Sequence, residues 1–261
     1  MKTSTAWVAA SLIFWSQLAH SQDTPPQVET PVPTVEEITE KLDDLYRSKS
    51  SHSTMTMTVV NDRGTRKLTL EQWTSGDDKA LIVIRKPARE AGTATLKTDD
   101  GLWNYAPRAD RLLRIPTGLL SGNWMGSHFT NDDLVRETSF ADDYTTSIRW
   151  VKESSTRLLL VTFTPKPDAP VIYTKIEYRM VPETYVLVRA DYFDRGKIVR
   201  SMTFSDVRKA GDRSVPFRLE LVPTDKPNEK TLIVYEELSF DAAVKEELFS
   251  KRGLRRVAKS K

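Results

Sequence analysis

The chain has 261 residues, of which 39 are lysine or arginine, 36 are aspartate or glutamate and none is cysteine, for a formal charge of +3. So even a charge balance argues against nucleic acid as a partner. The lack of cysteine excludes a disulfide framework, a thiol nucleophile and a lipid-bearing cysteine at a leader cleavage site, and at this length a core can be buried without such staples.

Residues 1–21, "MKTSTAWVAASLIFWSQLAHS", read as a secretory leader: Lys2, an apolar run from Ala6 to Trp15, then Ala19 and Ser21 where a signal peptidase reads small side chains. The run is too short to span a bilayer and none like it follows, so a soluble exported chain beginning near Gln22 is expected. Residues 22–33 are rich in proline and lack periodicity, as a semi-extended linker does. The folded domain is expected over 34–250. The basic segment 251–261, "KRGLRRVAKSK", is expected to be a solvated tail able to touch an anionic membrane transiently.

The domain opens with "TVEEITEKLDDLYRS", where Thr34 and Glu37 have capping-box spacing and Val35, Ile38, Leu42, Leu45 and Tyr46 share a helical face. The period then drops to two. "STMTMTVV" and "TRKLTLEQW", joined by "NDRG", form a hairpin with Met55, Met57 and Val59 facing one way and Leu68 and Leu70 answering them. Further strands are predicted at 80–85, 94–97, 102–105, 112–115, 144–151, 157–164, 171–180, 185–193, 198–204, 216–222 and 231–240, many of them separated by turn signals such as "SGDD", "DDG", "DRG" and "AGD".

Short connections make successive strands antiparallel neighbours, which predicts one long meander in one sheet. A sheet of a dozen or so strands with an apolar face and little helix to cover it must curl, and space left inside is a ligand cavity. Period-two spacing places Met55, Met57, Leu68, Leu70, Ile82 and Ile84 on its wall. Trp103 and Tyr105 are counted with that lining.

A search for catalytic chemistry yields little. Of the three histidines, His20 belongs to the leader, and His52 and His128 have no partner at metal-ligand spacing, so neither metal nor cofactor is expected. There is no nucleophile elbow and no phosphate-cradling glycine loop, and Ser127 beside His128 lacks an orienting third group. The acidic pairs Asp132/Asp133 and Asp142/Asp143 read better as structure than as acid and base: Thr130 caps a short helix and Asp132 and Asp133 occupy its first turn.

What remains is the loop "GNWMGSHFTNDDLV", residues 122–135, which carries Trp124, Met125 and Phe129 among small residues. Large apolar groups in a loop need a partner. The segment reads equally as a core anchor or as a lid, with Gly122 and Gly126 as hinges and Thr130, Asp132 and Asp133 fixing the start of its helix.

The stretch "WMGSHFTNDDLV" resembles the "WMGSDFTNDDLV" signature of one branch of the periplasmic outer-membrane lipoprotein-sorting (LolA-like) family, with His128 in place of an aspartate. The likeness extends to "MTMTVVNDRGTRKLTLEQW", "KPAREAGTATLK", "LWNYAPRADRLLRIP", "VTFTPKPDAPVIY" and "MTFSDV", nearly the whole exported chain. It implies an unclosed antiparallel β-barrel, mainly β, with an N-terminal helix and short lid helices over an apolar cavity. It further implies a monomeric periplasmic, non-enzymatic carrier that takes the acyl chains of lipoproteins or other lipids from an inner-membrane ABC-type or RND-type transporter towards the outer membrane. A regulatory protein sensing lipid or cargo on the same scaffold is the alternative.

Overall fold

The structure, a computed structural model, describes residues 31–46, 48–76, 78–135, 143–169 and 171–260. The expected leader, most of the expected linker and Asp142 lie outside the described residues. No helix among those described is long and apolar enough to cross a membrane.

Helix α1 (Val35–Tyr46) starts at the expected capping box: the Thr34 N–H donates to Glu37 Oε2 at 2.7 Å and the Glu37 N–H to Thr34 Oγ1 at 3.2 Å. Strands β1 (Ser50–Asn61) and β2 (Gly64–Ser75) form the predicted hairpin in one unbroken register, with Gly64 at φ +117° closing its turn. β3 (Lys79–Lys86), β4 (Ala94–Thr98), β5 (Gly101–Ala106) and the short β6 (Arg111–Arg114) continue outward. After a one-turn helix α2 (Asn131–Val135), the chain resumes with β7 (Tyr144–Glu153), β8 (Thr156–Pro165), β9 (Lys175–Met180), β10 (Leu187–Asp194), β11 (Lys197–Ala210), β12 (Arg213–Pro223) and β13 (Lys230–Phe240). It ends in helix α3 (Lys251–Lys259).

Among the described residues all 13 strands form one sheet in the order β6-β5-β4-β3-β2-β1-β13-β12-β11-β10-β9-β8-β7. This corrects the single meander: β6 and β7 are the two free edges, and the first and last strands pair instead. The connection from β6 to β7 is too long for a hairpin, no ladder pairs those strands among the described residues, and the sheet is an unclosed half-barrel. The chain leaves the sheet at one edge and returns at the other, and the described residues after β6, 115–135, run across one of its faces.

Register assigns the faces. On one face Phe163, Ile176, Tyr192 and Arg200 line up across β8–β11, and on the same face Phe204, Leu219, Ile233, Met57 and Leu68 line up across β11, β12, β13, β1 and β2. We call this the inner face. At the β7–β10 end, α1 lies on it: Ile38 is buried among Leu159, Val161, Phe163 and Tyr192, with Leu42 and Tyr46 packed alongside. The outer face of β3–β5 carries Leu81, Val83, Ala94 and Leu96, buried under Phe249, Leu254 and Ala258.

The basic C-terminal segment is therefore no solvated tail. Ser250 caps α3 by accepting the Gly253 N–H at 2.9 Å, and Leu254, Val257 and Ala258 form the stripe that packs on the sheet, leaving Lys251, Arg252, Arg256 and Lys259 exposed.

Candidate functional site

The inner face of β1–β3 and β13 is apolar and continuous. Met55 opposes Leu70, Met57 opposes Leu68, Leu70 opposes Ile84, and these cluster with Val59, Ile82 and Ile233. The period-two reading thus brings Met55, Met57, Leu68, Leu70, Ile82 and Ile84 together. Trp103 and Tyr105 do not join them and are a correction. Each pairs with an outer-face residue of β4 (Leu96 and Ala94), so both lie under α3, and Lys251 sits 3.7 Å from the Trp103 ring centroid. Parity along β5 decides this, since Leu102 and Asn104 take the inner face.

Covering the apolar patch is the crossing segment, residues 115–135, which we call the strap. Trp124 is 3% exposed within the cluster, and Met125, Phe129 and Leu134 pack against it. The strap is short of regular structure but rich in its own bonds. The Trp124 N–H donates to the Phe129 carbonyl at 2.8 Å, and Asn131 donates from its backbone and side chain to the Gly122 carbonyl at 2.9 and 3.1 Å. Met125 (φ +47°) and Gly126 (φ +67°) take left-handed backbone at the bend, which glycine adopts freely and methionine at a cost. Thr130 and Asp133 form a capping box on α2, 2.7 Å and 3.2 Å.

Polar contacts fasten the strap to the sheet. The Trp124 indole N–H donates to Thr95 Oγ1 at 3.0 Å. Arg66 Nη1 donates to the Met125 carbonyl at 2.6 Å while the same guanidinium pairs with Glu90, whose carboxyl it holds below the usual range. His128, the residue that departs from the family signature, meets Thr231 Oγ1 through its ring Nδ1 at 2.8 Å and Glu229 Oε2 through Nε2 at 3.1 Å. Finally, Arg200 grips Asp133 with both terminal nitrogens, 2.7 and 2.5 Å, and lies 4.2 Å from the Tyr192 ring centroid and 4.7 Å from that of Tyr173. Burial works against the Arg200 charge, but the Asp133 carboxylate outweighs it and holds the guanidinium more firmly protonated than usual. Burial likewise pushes the Tyr192 hydroxyl up to about 12, so no phenolate forms here near neutral pH.

Neither Arg66 nor Arg200 was singled out in the sequence, although both carry a legible signal. In "RKLTL" and "VRSMTF" each arginine occupies the register of the apolar residues that follow it, Leu68 and Leu70 or Met202 and Phe204. An arginine in the buried register of a strand is a group waiting for a counter-charge.

Space remains where the strap leaves the sheet edge. A cavity of about 500 Å³ is lined by Leu102, Arg114, Ile115, Pro116, Thr117 and Leu120, within the ~300–1,000 Å³ typical of small-ligand sites. A small void between Ile82, Thr95, Lys97, Leu102 and Leu134 lies under α2. Among the described residues no cluster of three or more His, Cys, Asp or Glu is placed to hold a metal.

An unclosed half-barrel whose apolar inner face is covered by a helix at one end and a strap at the other is the LolA-like fold. The chain superimposes on a putative outer-membrane lipoprotein-sorting protein domain from Vibrio parahaemolyticus with a TM-score of 0.74 at 23% identity, over 84% of this chain and 97% of that one. It is similar to a DUF1329 family protein from Desulfovibrio piger (TM-score 0.76, 21% identity, 84% and 96% covered) and to a LolA superfamily protein from Nitrosomonas europaea (TM-score 0.70, 18%, 84% and 99%). A family model described as "-like: Uncharacterized protein" matches residues 76–256, well over half of the chain, and the chain belongs to that family. No curated protein matches it in sequence.

Proposed function

We propose that this protein is a periplasmic carrier that holds an acyl chain or other lipid tail against the inner face of β1–β3 and β13, without covalent chemistry. The observation that carries this reading is the unbroken apolar wall of Met55, Met57, Leu68, Leu70, Ile82 and Ile84 under a cover that is mostly loop and fastened by polar bonds. A tail that displaces Trp124, Met125 and Phe129 gains ~0.8 kcal/mol for each CH₂ it removes from water, enough for a long chain to cross an aqueous gap. Methionines on the wall suit tails of differing shape. Release follows when the strap returns or a better acceptor takes the tail. An inner-membrane ABC-type or RND-type transporter fits the donor role, and the exposed basic face of α3 suits passing contact with anionic headgroups.

The test uses a fluorescent fatty acid and two single variants on one strand. Leu70→Glu puts a carboxylate on the inner wall, whereas Thr69→Glu puts it on the outer face. With both variants folded by circular dichroism, affinity should fall roughly tenfold or more for Leu70→Glu and stay near wild type for Thr69→Glu, because only the first leaves a charge against the tail. Equal effects would place the binding face elsewhere.

A further inference from the structure

Arg200 is out of place on a surface built for hydrocarbon. Its side chain is 7% exposed, it stands on β11 between Val199 and Met202, which pack against the inner-face cluster, and aromatic rings of Tyr173 and Tyr192 flank it. Its carboxylate partner, Asp133, belongs to the strap and not to the sheet. If cargo lifts the strap and takes its place over Arg200, Asp133 leaves and the cation stays buried without a counter-charge, which is among the most costly events a protein interior can undergo. Cargo that brings its own anion avoids that cost, and cargo without one does not.

We infer that Arg200 is the headgroup site, that Asp133 occupies it in the covered state as a built-in stand-in, and that the protein selects amphiphiles whose headgroup is an anion, a carboxylate or a phosphate ester, over neutral ones of equal tail length. This rests on the carrier reading for where the tail lies and goes beyond it in naming the cargo class. The geometry suits the exchange: a planar guanidinium presents two parallel donors, and they already hold a two-oxygen acid in bidentate fashion. The Arg200 Nη1 contact to the His128 carbonyl is long, 3.4 Å, so Asp133 is the partner that exchange must replace.

The experiment measures binding of palmitate, hexadecyl phosphate and palmityl alcohol, with inorganic phosphate alone as the tail-free arm. Wild-type protein is compared with Asp133→Leu/Arg200→Met, which removes both charges at once so that neither is stranded and the fold is kept. Wild type should prefer both anionic probes over the alcohol by roughly tenfold to a hundredfold, the worth of a charge-assisted hydrogen bond. Inorganic phosphate should bind weakly, because it offers no tail. The double variant should bind all the tailed probes alike, and the alcohol more tightly than wild type binds it, because no cation is left stranded. A wild type that binds palmitate and the alcohol equally, or a preference that survives in the double variant, overturns the headgroup site and leaves the carrier reading standing. Tight binding of inorganic phosphate would also overturn it, since the site would then be a free-anion site. Binding of no tailed probe by wild type sinks the carrier reading and this inference together.

Discussion

The β1–β5 half of the sheet carries a cover on each face, and the two are built differently. On the outer face, α3 satisfies its own backbone, is capped by Ser250, and has its last carbonyls bonded by Arg85, which donates to Val257 O at 3.0 Å and Ser260 O at 2.9 Å. Its contact with the sheet is apolar, through Phe249, Leu254 and Ala258. On the inner face the strap has one turn of α-helix and left-handed backbone at Met125 and Gly126, and to the apolar packing of Trp124, Met125, Phe129 and Leu134 it adds hydrogen bonds and an ion pair. An apolar seam is lost only when its area is exposed to water, whereas hydrogen-bond partners can be exchanged for others at little net cost. The first cover is part of the core; the second, on the function proposed above, is the one that lifts.

Charging the outer seam should have the largest effect. Leu254 is fully buried, and Leu254→Asp should lower folding stability by ~4–5 kcal/mol or more in urea denaturation, as an unpaired buried charge does, with lipid affinity unchanged in whatever remains folded. If Leu254→Asp cost little, α3 would be no more than a loosely held tail.

Trp124→Ala probes the inner cover. A packed core tryptophan cut to alanine loses ~3–5 kcal/mol, but a strap that can lift from the sheet without global unfolding should lose less than that while lipid affinity drops. A melting temperature that falls as far as for a core residue, with affinity intact, would make Trp124 an ordinary anchor. Asp133→Asn should be milder still, ~1–2 kcal/mol in global stability, because undocking of the strap lets Arg200 reach water before the rest of the fold opens. Limited proteolysis should then cut that variant within the strap before wild type.

The smallest effect is at His128. Its hydrogen bond holds the Glu229 carboxyl below the ordinary value of 4.5. A carboxylate with a depressed folded-state pKa adds stability that is complete above its unfolded value and is lost as pH falls through the folded one. Strap docking should therefore weaken in acid below about pH 4.5, and His128→Ala should flatten that part of the stability profile relative to wild type.

How far the sequence foretold this architecture can be read from particular residues. Alternation put Met55, Met57, Leu68 and Leu70 on one face, where they do cluster, because both strands of the first hairpin are long and share one register. It misplaced Trp103 and Tyr105, since in a six-residue strand with apolar groups on both faces period two cannot say which side is inward. The strand order β6 to β7 was illegible for another reason: only the closing pair β1 with β13 reveals that the loop must span the sheet, and that pairing is the most distant in sequence. Lysines and arginines hid α3, whose apolar stripe is three residues wide in a basic segment. Asp133 was read as a helix cap, which it is, while its tie to Arg200 depends on a contact across 67 positions.

The central claim, that cargo replaces the strap on the inner face and leaves α3 in place, is tested most directly by amide hydrogen exchange with and without palmitate at saturation. Peptides covering Gly122–Asp133 should exchange faster with lipid bound, as the bonds of Trp124, Asn131 and Asp132 to the Phe129, Gly122 and Leu120 carbonyls open, while peptides covering Lys251–Lys259 keep their protection. Unchanged protection in the strap when lipid is demonstrably bound, or deprotection of α3 instead, would contradict the account.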